Sequence, residues 1–321
     1  MTTIDTNKNL AAKMKIRNSV RFIYDLQHMR IMTGNRLTQS FRNEESDQVQ
    51  LTEEQMEKEA KSILSMIQKE FDQINNIEGF TVRKLKTVLA KGNYQYIKDE
   101  SDYQLFKTYA DLATMEKDNI KALERTLNRH PLYTSFLKDV KGCGPLMSAV
   151  IISEFDPYKA RHVSSFYKYA GLDVVIDKET GIGEGRSKKS HHLEEVTYLN
   201  SKGEECTRVG ITFNPFLKTK LLGVLGGSFL KTKSPYAEAY YDYKNRKTLQ
   251  YGITTMQEDG SMTVTLKEGM TAKHIHNMAN RYMVKQFIRD LWVAWREIEG
   301  LPVTQPYEVA KLGMNPHGFN Y

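Results

Sequence analysis

A glycine turn, a scatter of basic side chains and one serine are the residues of this sequence placed to do chemistry. The turn is Gly142-Cys143-Gly144-Pro145, between an apolar run ending at Val140 and a second apolar pattern through Leu146, Ala149, Val150 and Ile152. Two short helices joined by Gly-x-Gly form a helix-hairpin-helix, in which the glycines permit a reversal with positive φ. Pro145 can open the second helix, where no backbone N–H is missed. The N–H groups left unpaired there, with Lys141 beside them, can hold a phosphate of a nucleic-acid backbone. An ordinary helical connection has the same pattern, because Gly-x-Gly alone is a weak signal. Arg186, Lys188 and Lys189 lie in a Gly/Ser-rich loop with His191 and His192, suited to clamping a backbone. Lys218 and Lys220 follow on one predicted helix, and Arg281 and Lys285 stand with Arg289 at fourfold spacing on another. Ser201, beside Lys202, is the candidate nucleophile; such a serine needs a neighbouring base, and a plain hydrophilic turn residue is the competing role. His191, His192, His274, His276 and Cys206 match no standard zinc spacing, so no metal is expected and no cofactor is read from the sequence.

The elements that must position these groups are mostly helices. Apolar residues at Leu10, Met14, Ile16, Val20, Ile23, Leu26 and Met29 predict a helix over 9–33, closed by Gly34-Asn35, with Lys13, Arg17 and Arg21 sharing one face. Helices are predicted over 52–74 and 102–128, the latter with Leu105, Leu112, Met115, Ile120, Leu123 and Leu127 as core, and a basic element over 81–89. Further helices follow at 164–172 and 215–230, with Gly223, Gly226 and Gly227 implying close packing or a kink in the second. Alternating runs at 193–199 and 207–213 flank Asn200-Ser201-Lys202-Gly203 and predict a β-hairpin; another is centred on Asp259-Gly260. A helix from Tyr236 mixes Tyr240, Tyr241 and Tyr243 with Lys244, Arg246 and Lys247, a composition suited to bases and phosphates, although Tyr236 and Tyr240 fit a core. The last helix, 273–299, has Ile275, Met278, Tyr282, Leu291, Trp295 and Ile298 as its core stripe, and 306–321 reads as an extended cover.

The 321 residues allow two or three domains. We read a helical bundle or coiled coil over 1–130, a helix-hairpin-helix domain with a small β-hairpin insertion over 131–230, and a C-terminal helical region with a short hairpin over 231–321. The fold class is mainly α. A net charge of +7 favours a polyanionic partner. Charge is blocked: Met1 to Arg42 holds eight Lys/Arg against two acids, and Asn43 to Gly79 ten acids against three lysines. Two cysteines make no disulfide framework, and a cytoplasmic protein without membrane segment is expected. The long N-terminal helices make a homodimer plausible.

Val140 to Ser153, Phe166 to Leu172, Gly210-Ile211-Thr212-Phe213-Asn214 and Leu217 to Leu222 together resemble the C-terminal half of a family of bacterial insertion-sequence transposases. That family pairs an N-terminal DEDD nuclease-like domain with a C-terminal serine-bearing domain and is implicated in RNA-guided recombination. The resemblance covers about Leu132 to Leu230 and implies DNA binding and a serine near Ser201 as nucleophile; the sequence itself leaves DNA and RNA both open as the ligand. The chain departs from the family in three places. Its first 130 residues offer no strand bearing the nuclease Asp. Ser201-Lys202-Gly203 stands for Ser-Ser-Gly, and Phe213-Asn214-Pro215 replaces Lys-x-Gly-Asn. The sequence reading is therefore a transposase-related nucleic-acid-binding protein. The alternatives are a serine-dependent recombinase and a helical scaffold.

Overall fold

The computed structural model describes residues 3–45, 53–176, 183–185, 194–256 and 262–304. It is mainly helical, as the periodicity predicts. The order is α1 (Thr3–Glu45), α2 (Glu53–Asn75), α3 (Leu85–Lys91), α4 (Glu100–Leu127), α5 (Pro131–Ser135), α6 (Pro145–Glu154), α7 (Val163–Tyr169), β1 (Val174–Ile176), β2 (Gly183–Gly185), β3 (Glu194–Leu199), β4 (Glu205–Gly210), α8 (Pro215–Thr219), α9 (Gly226–Thr232), α10 (Tyr236–Tyr251), β5 (Gly252–Met256), β6 (Met262–Leu266) and α11 (Ala272–Ile298). The strands form antiparallel pairs β1–β2, β3–β4 and β5–β6. No described helix is long and apolar enough to cross a membrane. The 306–321 cover and the loop residues Arg186, Lys188 and Lys189 lie outside the described residues.

Contacts group the chain into two units, Asn18–Leu123, and Met1–Arg17 with Glu124–Tyr321. The first has a core of Leu37, Ile67, Ile74, Leu85, Ile97, Tyr103 and Phe106. Two local expectations fail there. Gly34 does not close α1; the helix runs on, and a Cβ at Gly34 would sit 3.1 Å from the Tyr109 ring, so the glycine admits a neighbour instead of ending the element. Met115 is 46% exposed, whereas Glu116 beside it is buried. Glu116 accepts from Arg30 Nε at 2.6 Å and from Gln27 Nε2 at 3.1 Å, which is how a carboxylate takes a core position.

In the second unit α6 is buried from Met147 through Glu154 and α11 from Ile275 to Arg296 along most of its length. The α11 core is wider than the predicted stripe: Ala279, Met283, Val284, Phe287, Ile288 and Trp292 are all buried, while Met278 and Tyr282 are half-buried. Arg289, expected on a basic surface stripe, is 1% exposed and paired to Asp290 at 3.1 Å. Arg296 is buried as well and donates to the Pro157, Ala160 and Pro302 carbonyls.

The predicted 215–230 helix is three pieces. Between α8 and α9 the backbone widens into a π-helical turn, Lys220–Leu225. Asn280 Nδ2 donates to the Leu222 carbonyl at 3.0 Å, taking up an acceptor in the widened turn. Gly226 makes this possible, since a Cβ there would collide with the Asn280 side chain.

Candidate nucleic-acid interface

The glycine reversal forms as expected, and its two glycines divide the work. Gly142 has φ +96°, reachable at little cost only by glycine. It also packs inward: a Cβ there would lie 2.8 Å from Thr232 Oγ1 and 3.0 Å from the Phe229 ring, and Ser228 Oγ donates to its carbonyl at 2.8 Å. Gly144, the N-cap of α6, faces open space, and Lys141 is exposed beside it. Cys143 between them is buried. Burial pushes its thiol up to about 11, so it stays protonated and unreactive at neutral pH.

Ser201 stands at the tip of the β3–β4 hairpin. The turn is held by Asn200, whose side-chain oxygen accepts from Lys202 N at 2.9 Å and Glu204 N at 3.0 Å, and by Gly203 at φ +81°. Ser201 itself is exposed, and among the described residues its hydroxyl makes no hydrogen bond. No described group of three His, Cys, Asp or Glu is placed to hold a metal ion.

Two of the remaining bases, Lys218 and Arg281, come together. Asn214 N donates to the Tyr169 carbonyl at 2.8 Å, and its side chain donates to Glu154 Oε2 at 2.7 Å and accepts from Leu217 N at 3.1 Å. That N-cap pins the start of α8 to α6 and α7. Gly171, at φ +64°, lets the Phe213 ring come against the end of α7; a Cβ would meet it at 2.6 Å. The Lys218 ammonium then lies 4.7 Å from the Phe213 ring centre, Lys220 5.5 Å from Phe216, and Lys285 4.6 Å from Tyr167, each within cation–π range. The Arg281 guanidinium rests against the backbone of Gly185, where a Cβ would collide with it. Burial lowers the Lys218 pKa to about 8, with repulsion from Arg281 adding to the fall and Asp173 opposing it. Burial also lowers that of Arg281. Two cations from different helices thus share one half-buried patch, and on Lys218 the repulsion from Arg281 outweighs the attraction of Asp173. Such a patch is stabilised by an incoming anion.

Beside the patch, α10 and α11 present interleaved rings and bases. Tyr243 stacks on Tyr282 at 4.6 Å, with Arg246 at 5.1 Å and Lys247 at 5.6 Å from the Tyr243 ring. Tyr240 is core, bonded to His276 Nδ1 at 2.6 Å, while Tyr241 is exposed. The sequence carries no signal for the β1–β2 pair or for the role of Gly185. Three-residue strands carry little periodicity, and a Gly-rich stretch reads as loop.

The N-terminal bases do something else. Arg17 Nη2 donates to the Ser153 carbonyl at 2.8 Å and meets Glu154 at 3.3 Å; Lys13 Nζ donates to the Phe155 carbonyl at 2.5 Å. Both sit at the C-terminal end of α6, where the helix dipole favours cations. Set against protein-family models, curated proteins and solved structures, the chain finds no match in any of the three.

Proposed function

We propose that this protein binds nucleic acid through the patch formed by Lys218, Lys220, Arg281 and Lys285. The observation that carries the reading is the pairing of Lys218 with Arg281 on neighbouring helices, over Phe213 and against Gly185. Cations mounted on aromatic platforms, with Tyr243 and Tyr282 alongside, suit a sugar–phosphate strand with stackable bases. Exposed Gly144 and Lys141 at the α6 N-terminus add a further phosphate contact. The net charge of +7 agrees. The resemblance of residues 132–230 to insertion-sequence transposases supports DNA as the ligand, a link to a mobile element, and a cytoplasmic setting that two free cysteines also fit.

A mobility-shift series from low to physiological salt, on duplex DNA and on structured RNA, tests the reading. Retention should fall linearly on a log–log scale with salt, and Lys218→Ala should lower the slope by about 1. Salt-insensitive retention, or none at low salt, overturns it.

A further inference from the structure

A cavity of about 520 Å³ opens beside the hairpin, lined by Phe136, Val140, Pro235 and Tyr236 and by the polar residues Ser234 and Gln286. Ser234 is 3% exposed and Gln286 6% exposed, yet neither Ser234 Oγ nor Gln286 Oε1 has a hydrogen-bond partner among the described residues. A buried oxygen without a partner is costly, and the two residues that carry one here both line the same cavity. The walls are fixed. Tyr236 O–H donates to Asp290 at 3.0 Å and its ring stacks on Phe229 at 5.2 Å; Phe136 stacks on Phe287 at 6.4 Å.

We propose that this cavity takes the nucleobase of an unpaired nucleotide within a bound strand, an inference that rests on the nucleic-acid reading above. The volume is that of a small-ligand pocket. Flat aromatic walls suit a base, and a carboxamide such as Gln286 can bond an adenine edge by its N6 and N7 atoms. Asp139 and Glu238, exposed carboxylates of the lining, repel a phosphate, so the base enters and the backbone stays outside. Lys141, on the same rim and next to the Gly142 reversal, is placed to meet that backbone. Extruding a base is cheapest where it is already unpaired, which is why a bulged residue is the natural occupant.

The test compares DNA hairpins that differ by one bulged adenine, using the full-length chain. Wild type should bind the bulged hairpin about tenfold more tightly than the fully paired one. Gln286→Leu should erase that preference and leave affinity for the paired hairpin within about twofold. Ser234→Ala is the second variant: it removes an unpartnered hydroxyl while keeping the backbone bonds at this position, so it should melt at or above the wild-type temperature and weaken the preference alone. Equal affinity for both hairpins, with binding intact, overturns the base pocket and leaves the interface standing. Failure to bind either hairpin at low salt overturns both. Adenosine monophosphate displacing neither hairpin fits a base held within a strand; tight binding of the free nucleotide, with no bulge preference, would make the occupant a soluble nucleotide and overturn the proposal.

Discussion

Two sets of basic residues in this molecule look alike in sequence and are used in opposite ways. Lys13 and Arg17 on α1 face the end of α6 and donate to its carbonyls and to the Glu154 carboxylate. Lys218 and Arg281 instead face each other across a half-buried patch and rest on rings and on bare backbone. In the first set the charge is consumed by the fold. In the second a half-buried cation stands over an aromatic ring beside a like charge, and burial lowers its pKa. Spacing on a helix cannot separate the two cases, because the difference lies in what the rest of the chain brings opposite.

The comparison predicts different failures. Neutralising both charges at the patch, Lys218→Met with Arg281→Met, should weaken nucleic-acid binding by roughly tenfold or more at physiological salt, through lost phosphate neutralisation. The melting temperature should hold or rise, since a repelling pair is removed; a mobility shift and a thermal melt on the same sample check both. Arg17→Ala should do the reverse. Losing a charged donor to Ser153 and Glu154 should cost about 1–3 kcal/mol of stability in urea unfolding, with little change in affinity beyond one lost charge.

A finer distinction comes from pH. Phosphate favours protonated Lys218, so affinity should be greatest below pH 8 and decline as pH rises through about 8. Lys218→Arg should abolish that decline, because guanidinium stays charged. For the unliganded protein the sign is opposite. The folded pKa of Lys218 lies below its ordinary 10.5, so its charged form destabilises the fold, and that penalty is lifted between about pH 8 and 10.5. Wild type minus Lys218→Met, measured by unfolding at several pH values, isolates this contribution. The smallest effect is expected from Gly185→Ala, which displaces the Arg281 guanidinium and should lower affinity a few-fold while α11 stays folded.

What the sequence reveals and what it hides follow one physical division. Long helices are legible because hydrophobic periodicity accumulates over many turns; α2 and α4 lie within two residues of their predicted bounds. Gly34 misleads, because a glycine that ends a helix and one that admits a tyrosine ring look identical until the partner is known. Met115 and Glu116 misassign the core for the same reason: Arg30 is 86 residues away in sequence. The bases Lys218, Lys220, Arg281 and Lys285 are singled out by composition, but the meeting of Lys218 with Arg281 and the aromatic supports of Lys218, Lys220 and Lys285 are properties of packing. Tyr167, Phe213 and Gly185 carry no signal of their own as site residues.

The widened turn Lys220–Leu225 gives the interface a mechanical sensitivity. One residue of an α-helix corresponds to about 100° of rotation. Deleting the exposed Val224 would let this stretch close to ordinary helix, swinging Lys218 and Lys220 around the axis relative to Phe229. The chain would keep every charge and lose their alignment with Arg281. A one-residue deletion should therefore silence binding more thoroughly than neutralising any single lysine.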